Sequence, residues 1–255
     1  MSAAATALGT LAFGDADGTA WGAVWISGGT TAGDSLVILG RANGRMSVGT
    51  LRLGAGPENG EWGIGDGLMV SPIGEAVPVH DAESVVEGYD QLCRVSGQWA
   101  SDGADLDVDC LGVQSWFAQP VDLARFDSIR AVSSWFEPGD GLTLTAFRTR
   151  KAKAHDADVI AAAVIGPDRT TAAEDPRLST TYEAEGWPIR AGLELWLPAE
   201  ESADQQYPRR AAASGEATGA RAEGAVGELT VRAEPFRWHS RGRDGAGMYI
   251  LARRR

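Results

Sequence analysis

The sequence predicts an all-β fold of antiparallel strands, and three observations predict it. Apolar and polar residues alternate with a period of two along most of the 255 residues, tight-turn signals recur between those runs, and no stretch carries a persuasive amphipathic-helix period. Roughly a dozen to sixteen short strands at this spacing build sandwiches or up-and-down barrels rather than βαβ units.

The elements follow in order. Residues 19–27 (TAWGAVWIS), 35–41 (SLVILGR) and 45–53 (RMSVGTLRL) read as strands, and Asn43-Gly44 makes a tight hairpin turn between the last two. Residues 83–96 and 104–113 pair around the turn 101–103 (SDG), and 126–136 and 141–150 flank 137–140 (EPGD). Residues 159–165 are alanine-rich enough for a helix, but their β-branched members and the stop at Gly166-Pro167 favour a strand. Strands at 177–184, 189–197, 207–213, 228–240 and 248–253 complete the set. The glycine-rich stretch 54–67 and the segment 199–227, low in apolar residues apart from its island at 207–213, read as loops. A break at 119–125, around Pro120, divides the chain into an N-terminal lobe, 1–120, and a C-terminal lobe, 121–255.

Composition narrows the function. The balance of 23 basic against 35 acidic residues gives a formal charge of −12, which repels nucleic acid and anionic membrane surfaces alike. Only two lysines stand against 21 arginines, a bias that points to a GC-rich bacterial genome. The N-terminus lacks the pattern of a secretory signal, and no run of about 18 apolar residues could span a bilayer, so a cytoplasmic protein is expected. In that setting Cys93 and Cys110 read as free buried thiols, although they flank a predicted hairpin and a cross-strand bridge is conceivable. Two cysteines and three scattered histidines form no metal-ligand pattern, and no cofactor motif is present.

Local motifs mostly have plain readings. The glycines at 54–67 match neither a phosphate loop nor a dinucleotide fingerprint, and 15–18 (DADG) lacks the later ligands of a calcium loop and reads as a β-turn. His155-Asp156 follows a basic hairpin end and reads as a solvated loop; His80 reads as surface. In 228–240 one face carries Leu229, Val231, Ala233 and His239, and the other Thr230, Arg232, Glu234, Phe236 and Trp238. A histidine in a barrel wall could act as an acid or base, or could be a hydrogen-bonded structural residue. In 187–197, Ile189, Ala191, Leu193, Leu195 and Leu197 share one face, with Arg190, Glu194 and Trp196 on the other. A face mixing aromatics with paired charge suits a ligand-binding lumen; it also suits a surface with one ion pair.

Four segments carry a resemblance to a known family: 110–130 (CLGVQSWFAQPVDLARFDSIR), 133–154 (SSWFEPGDGLTLTAFRTRKAKA), 186–196 (GWPIRAGLELW) and 237–251 (RWHSRGRDGAGMYIL). Together they resemble the lipocalin-like double-barrel proteins related to carotenoid 1,2-hydratase (hydroxyneurosporene synthase), and an actinobacterial branch of them in particular. The resemblance covers mainly the C-terminal 150 residues. That family commonly places Arg, Asp or His members before a Ser-Trp pair; here 112–116 (GVQSW) keeps Gly112 and Ser115-Trp116 without them. The resemblance implies two β-barrel lobes around an apolar cavity, and members that hydrate, isomerise or cyclise isoprenoid or polyketide-like molecules.

Within such a scaffold Glu194, His239 and Asp127 are the candidate proton-transfer groups, and Trp116, Trp135, Trp196 and Tyr249 the candidate substrate-binding walls. The leading expectation is a cofactor-independent enzyme acting on a hydrophobic small molecule. A non-catalytic carrier of such a ligand is the alternative, a cavity-free partner-binding scaffold the third. A homodimer is compatible with each.

Overall fold

The computed structural model describes residues 8–27, 34–41, 46–51, 60–81, 85–101, 104–117, 121–136, 139–150, 152, 158–166, 170–198 and 209–255. The turns at Asn43-Gly44 and 101–103, the pair His155-Asp156, and much of 54–67 and 199–227 lie wholly or partly outside these residues. The first sheet orders its strands β4-β3-β2-β1-β8-β7-β6-β5. These are β1 (Leu8–Gly14), β2 (Ala20–Ser27), β3 (Asp34–Arg41), β4 (Met46–Leu51), β5 (Trp62–Ile64), β6 (Leu68–His80), β7 (Glu87–Ser101) and β8 (Ala104–Phe117). The second sheet contains β9 (Phe126–Phe136), β10 (Asp140–Thr149), β11 (Asp158–Ile165), β12 (Thr171–Ala172) and β13 (Asp175–Tyr182). It is completed by β14 (Pro188–Leu197), β15 (Arg209–Ala217), β16 (Ala222–Val226), β17 (Leu229–Ser240) and β18 (Arg243–Arg254). Its order is β12-β11-β10-β9-β18-β17-β15-β14-β13, with β16 also paired to β17.

All pairings between these strands are antiparallel, and each sheet curls into a half-barrel, so the predicted all-β class with two lipocalin-like lobes holds. The sequence reading passes over β1, β5, β6, β12 and β16, with β5 and β16 falling in stretches it reads as loop. β1 is buried along its whole length, so it has no polar alternation to read. β6 carries Pro72 and Pro78 and shifts register between Ile73 and Val77, both of which mask a strand signal.

Alternation gives each sheet two apolar faces. In the first sheet Leu11, Phe13, Val24, Val37, Trp62, Val95 and Trp116 gather into that lobe's own core, where Cys93 and Cys110 lie as free thiols. Burial pushes both thiols up, Cys110 to about 11. Intervening residues such as Ala12, Trp21, Ala23, Leu92, Val113 and Phe117 meet the second sheet's Ala131, Trp135, Phe147, Ala163, Met248 and Ile250 in a shared core. The second sheet's remaining face, with Val132, Leu144, Leu193, Phe236, Trp238, Tyr249 and Leu251, lines its own lobe.

Polar bonds also cross the shared core. Trp135 Nε1 donates to the Gly14 carbonyl at 3.0 Å, and Thr143 Oγ1 donates to Asp90 Oδ2 at 2.5 Å. Asp90 is 1% exposed, and burial pushes its carboxyl up to about 6, against the opposing pull of the Ser115 and Thr143 hydroxyls. A native carboxyl that holds its proton to higher pH than the unfolded chain loses stability as pH rises from about 4 to about 6; the loss is then constant above that window. A shift of this size corresponds to roughly 3 kcal/mol. The stability gap between Asp90→Asn and the unsubstituted chain should therefore move in the variant's favour by that order between pH 4 and pH 7. Urea unfolding across this range measures it; parallel stability curves would contradict the assignment.

Candidate functional site

The strand registers lay out the inner wall of the second lobe as rows. Thr230, Arg253, Ser128, Arg148 and Asp158 form the rim, followed inward by Arg232, Leu251, Arg130, Ala146 and Ile160. Glu234, Tyr249, Val132, Leu144 and Ala162 come next, and Phe236, Gly247, Ser134, Leu142 and Val164 follow. The wall thus grades from charged at the rim to apolar at depth. A cleft of about 270 Å³ opens at the rim, lined by Glu185, Glu223, Thr230, Arg232, Leu251, Arg253 and Arg254.

Glu234 lies one row below this cleft, and a corner in the chain explains why a carboxylate sits there. β16 pairs with β17 only as far as Ala233, and β15 takes over at Phe236. At the intervening corner the Thr218 N–H donates to the Pro235 carbonyl at 2.9 Å. Pro235 has no N–H to return, so this one ladder bond holds the corner. Gly219, at φ 84°, turns the chain and offers its N–H to the Glu234 carboxyl.

Glu234 is 2% exposed, and its Oε2 has no hydrogen-bond partner. Burial pushes the carboxyl up to about 7, with Arg221 and the Gly219 N–H pulling down and Glu183 adding to the rise. Arg221 is itself bonded to Glu183. Beside them the Trp187 ring lies between two guanidinium groups, Arg221 at 5.0 Å and Arg232 at 4.7 Å.

Tyr249, register partner of Glu234 and 0% exposed, meets Tyr182 Oη at 2.9 Å and Thr180 Oγ1 at 3.1 Å. Burial, and then the neighbouring Tyr182, hold its phenol protonated far above neutrality. Phe236 stacks on Trp238 with centroids 5.8 Å apart and lies 5.9 Å from the Tyr249 ring. Trp238 is held flat between strands, since a Cβ on Gly247 or Gly215 would fall within 2.4 Å or 2.8 Å of its ring. One row toward the rim from Tyr249, Arg130 on β9 is bonded to Asp158 on β11, with both side chains almost wholly buried. The arrangement offers a proton exchangeable near neutrality, a hydroxyl cluster and an aromatic floor. Among the described residues no group of three or more His, Cys, Asp or Glu side chains could hold a metal ion.

The structure scatters the residues singled out from sequence. Tyr249 alone lies on the inner wall of the second lobe. Trp116 packs in the first lobe's core, and Trp135 in the shared core. On β14 the mixed face that suggested a lumen points outward: Glu194 bonds Arg210 at 2.7 Å, and that guanidinium lies 5.7 Å from the Trp196 ring. The apolar row Ala191, Leu193 and Leu195 takes the interior instead. Asp127 lies on the surface, 3.6 Å from Arg150. His239 is also on the surface, 58% exposed in its side chain, with Nδ1 2.9 Å from Asp244. Glu234, Arg221, Tyr182 and Arg253 were not singled out. The available signal was Glu234 alternating with Arg232, Phe236 and Trp238 on one strand face.

No family model matches the chain, and no curated protein matches it. Solved structures do. A candidate AttH from Nitrosomonas europaea is 13% identical, with 96% of this chain and 92% of that one covered at a TM-score of 0.61. CghA in complex with Sch210972 is 11% identical, with 97% and 88% covered and a TM-score of 0.64. Kievitone hydratase from Nectria haematococca is 9% identical, with 97% and 87% covered and a TM-score of 0.52. The likeness spans nearly the whole chain and shows a shared lipocalin-like double half-barrel fold.

Arg221 holds the Glu234 carboxyl down, and Glu183, once released from Arg221, would push it up. Arg221→Met should therefore raise the apparent pKa of Glu234 above about 7. Carbon-13 NMR titration of the glutamate side-chain carboxyls reads the shift; an unchanged or lowered value would contradict the geometry.

Proposed function

We propose that this chain is an enzyme of small-molecule metabolism, taking an apolar isoprenoid- or polyketide-like substrate into its second lobe and transforming it by proton transfer, without a cofactor. The observation that carries this reading is Glu234: a buried carboxyl with its pKa raised to about 7 and one oxygen unpartnered, on a wall whose deeper rows are aromatic. At neutral pH it holds a proton in an appreciable fraction of molecules and can donate it.

Donation to a substrate double bond leaves a carbocation, which the faces of Tyr249, Phe236 and Trp238 stabilise. Loss of a proton from a neighbouring carbon, before or after ring closure, returns it to Glu234 and gives isomerisation or cyclisation. Addition of water, followed by loss of its proton to Glu234, gives hydration. In each case the carboxyl ends as it began. The fold is shared with one protein named a hydratase and one solved with Sch210972 bound, which supports a small-molecule reaction class for this scaffold.

Glu234→Gln keeps the shape and removes the exchangeable proton. Turnover of a polyene or terpenoid substrate should fall by about 100-fold or more while ligand affinity is retained. The rate of the unsubstituted enzyme should decline as pH rises through about 7, where the acid is lost. A carrier would bind its ligand unaltered and with equal affinity in both forms; turnover unaffected by Glu234→Gln would sink the assignment.

A further inference from the structure

Most of the charges around the rim cleft are paired. Arg232 donates to Glu223 at 2.6 Å and to the Glu185 carbonyl at 3.0 Å, and Arg254 is bonded to Glu228. Glu185 lies 3.8 Å from Arg221. Arg253 is different: among the described residues its guanidinium has no ion pair, and it lies against the Tyr182 ring, 5.9 Å from the centroid. A guanidinium against a ring face keeps its N–H edge free for a bidentate acceptor. Gly186, at φ 79°, brings the β13–β14 turn against it, and a Cβ there would stand 3.4 Å from Arg253 and 3.5 Å from Arg232.

We infer that Arg253 is the anchor for an anionic head group, and that the ligand is an amphiphile with one carboxylate or enolate at the rim and an apolar body running down the wall. This deepens the reading of the second lobe as the substrate site and rests on it. Leu251 lies next inward from Arg253 on β18, then Tyr249 opposite Glu234, with Phe236 beyond. From Arg253 to Tyr249 is four residues of strand, about 13 Å at 3.3 Å per residue. The anion and the position protonated by Glu234 are therefore separated by the length of a medium alkyl chain. The head group also stays clear of the buried carboxyl, which like charge would disfavour.

Isothermal titration with decanoate and with decanol, whose tails match, tests the anchor. Decanoate should bind the unsubstituted chain more tightly than decanol does, and should weaken as salt is raised. Arg253→Gln, a change at an exposed side chain, should cost decanoate about tenfold or more and leave decanol unchanged. Absence of decanoate binding, equal affinity for acid and alcohol, or a decanoate affinity unaltered by Arg253→Gln would overturn the inference. The Glu234→Gln variant separates it from the catalytic reading. Decanoate binding that survives Glu234→Gln and is lost with Arg253→Gln upholds the anchor even if turnover proves independent of Glu234.

Discussion

The organisation of this protein depends on one constraint: two curled sheets share a single core, so each must present an apolar face to the other and another to its own lobe. Along β9 and β18 that requirement divides neighbours. Ala131 and Ile250 face the shared core, while Val132, Tyr249 and Leu251 face the second lobe. A strand's period of two permits no compromise, and a slip of one residue would exchange the two faces entirely. Alanines at 12, 23, 131, 161, 163, 233, 246 and 252 let the sheets approach closely across the shared core. Everything polar must then find a place at a rim, a corner or a specific bond.

The candidate site follows from that restriction. Glu234 shares its strand face with Phe236 and Trp238, and on an uninterrupted wall a carboxylate there would have no compensation. The handover from β15 to β16 supplies it: a turn with an inward N–H from Gly219 and a nearby guanidinium from Arg221. The compensation is partial, which is why the carboxyl stays near neutrality in its proton affinity. A fully paired carboxylate would be held ionised, and a solvated one would titrate at its ordinary value. Asp90 meets a related restriction in the shared core, where the hydroxyls of Ser115 and Thr143, one from each sheet, meet its carboxyl.

The sequence showed the class of the fold well, because hairpin turns and alternating runs are local signals. It showed the two faces of β17 correctly, separating Leu229, Val231 and Ala233 from Glu234, Phe236 and Trp238. It did not show which face of β14 turns inward, and Glu194 and Trp196 proved to lie outside. It gave no sign that His239 ends a strand at an exposed hairpin, where Asp244 bonds it across the turn. The importance of Glu234 was hidden for a different reason. Its environment is built by Thr218 to Arg221, in a stretch whose glycine- and alanine-rich composition reads as loop. Composition cannot reveal that this corner folds back over β17.

The most direct test of a ligand site in the second lobe uses the opposed faces of adjacent strands. With methyl-labelled isoleucine, leucine and valine, decanoate binding can be followed at both faces at once by NMR. Occupancy of the second lobe predicts shifts at Val132, Leu144, Leu193 and Leu251, with Leu92, Val113 and Ile250 unmoved. Shifts at Leu92, Val113 and Ile250 with Leu251 silent would place the ligand between the sheets and contradict it.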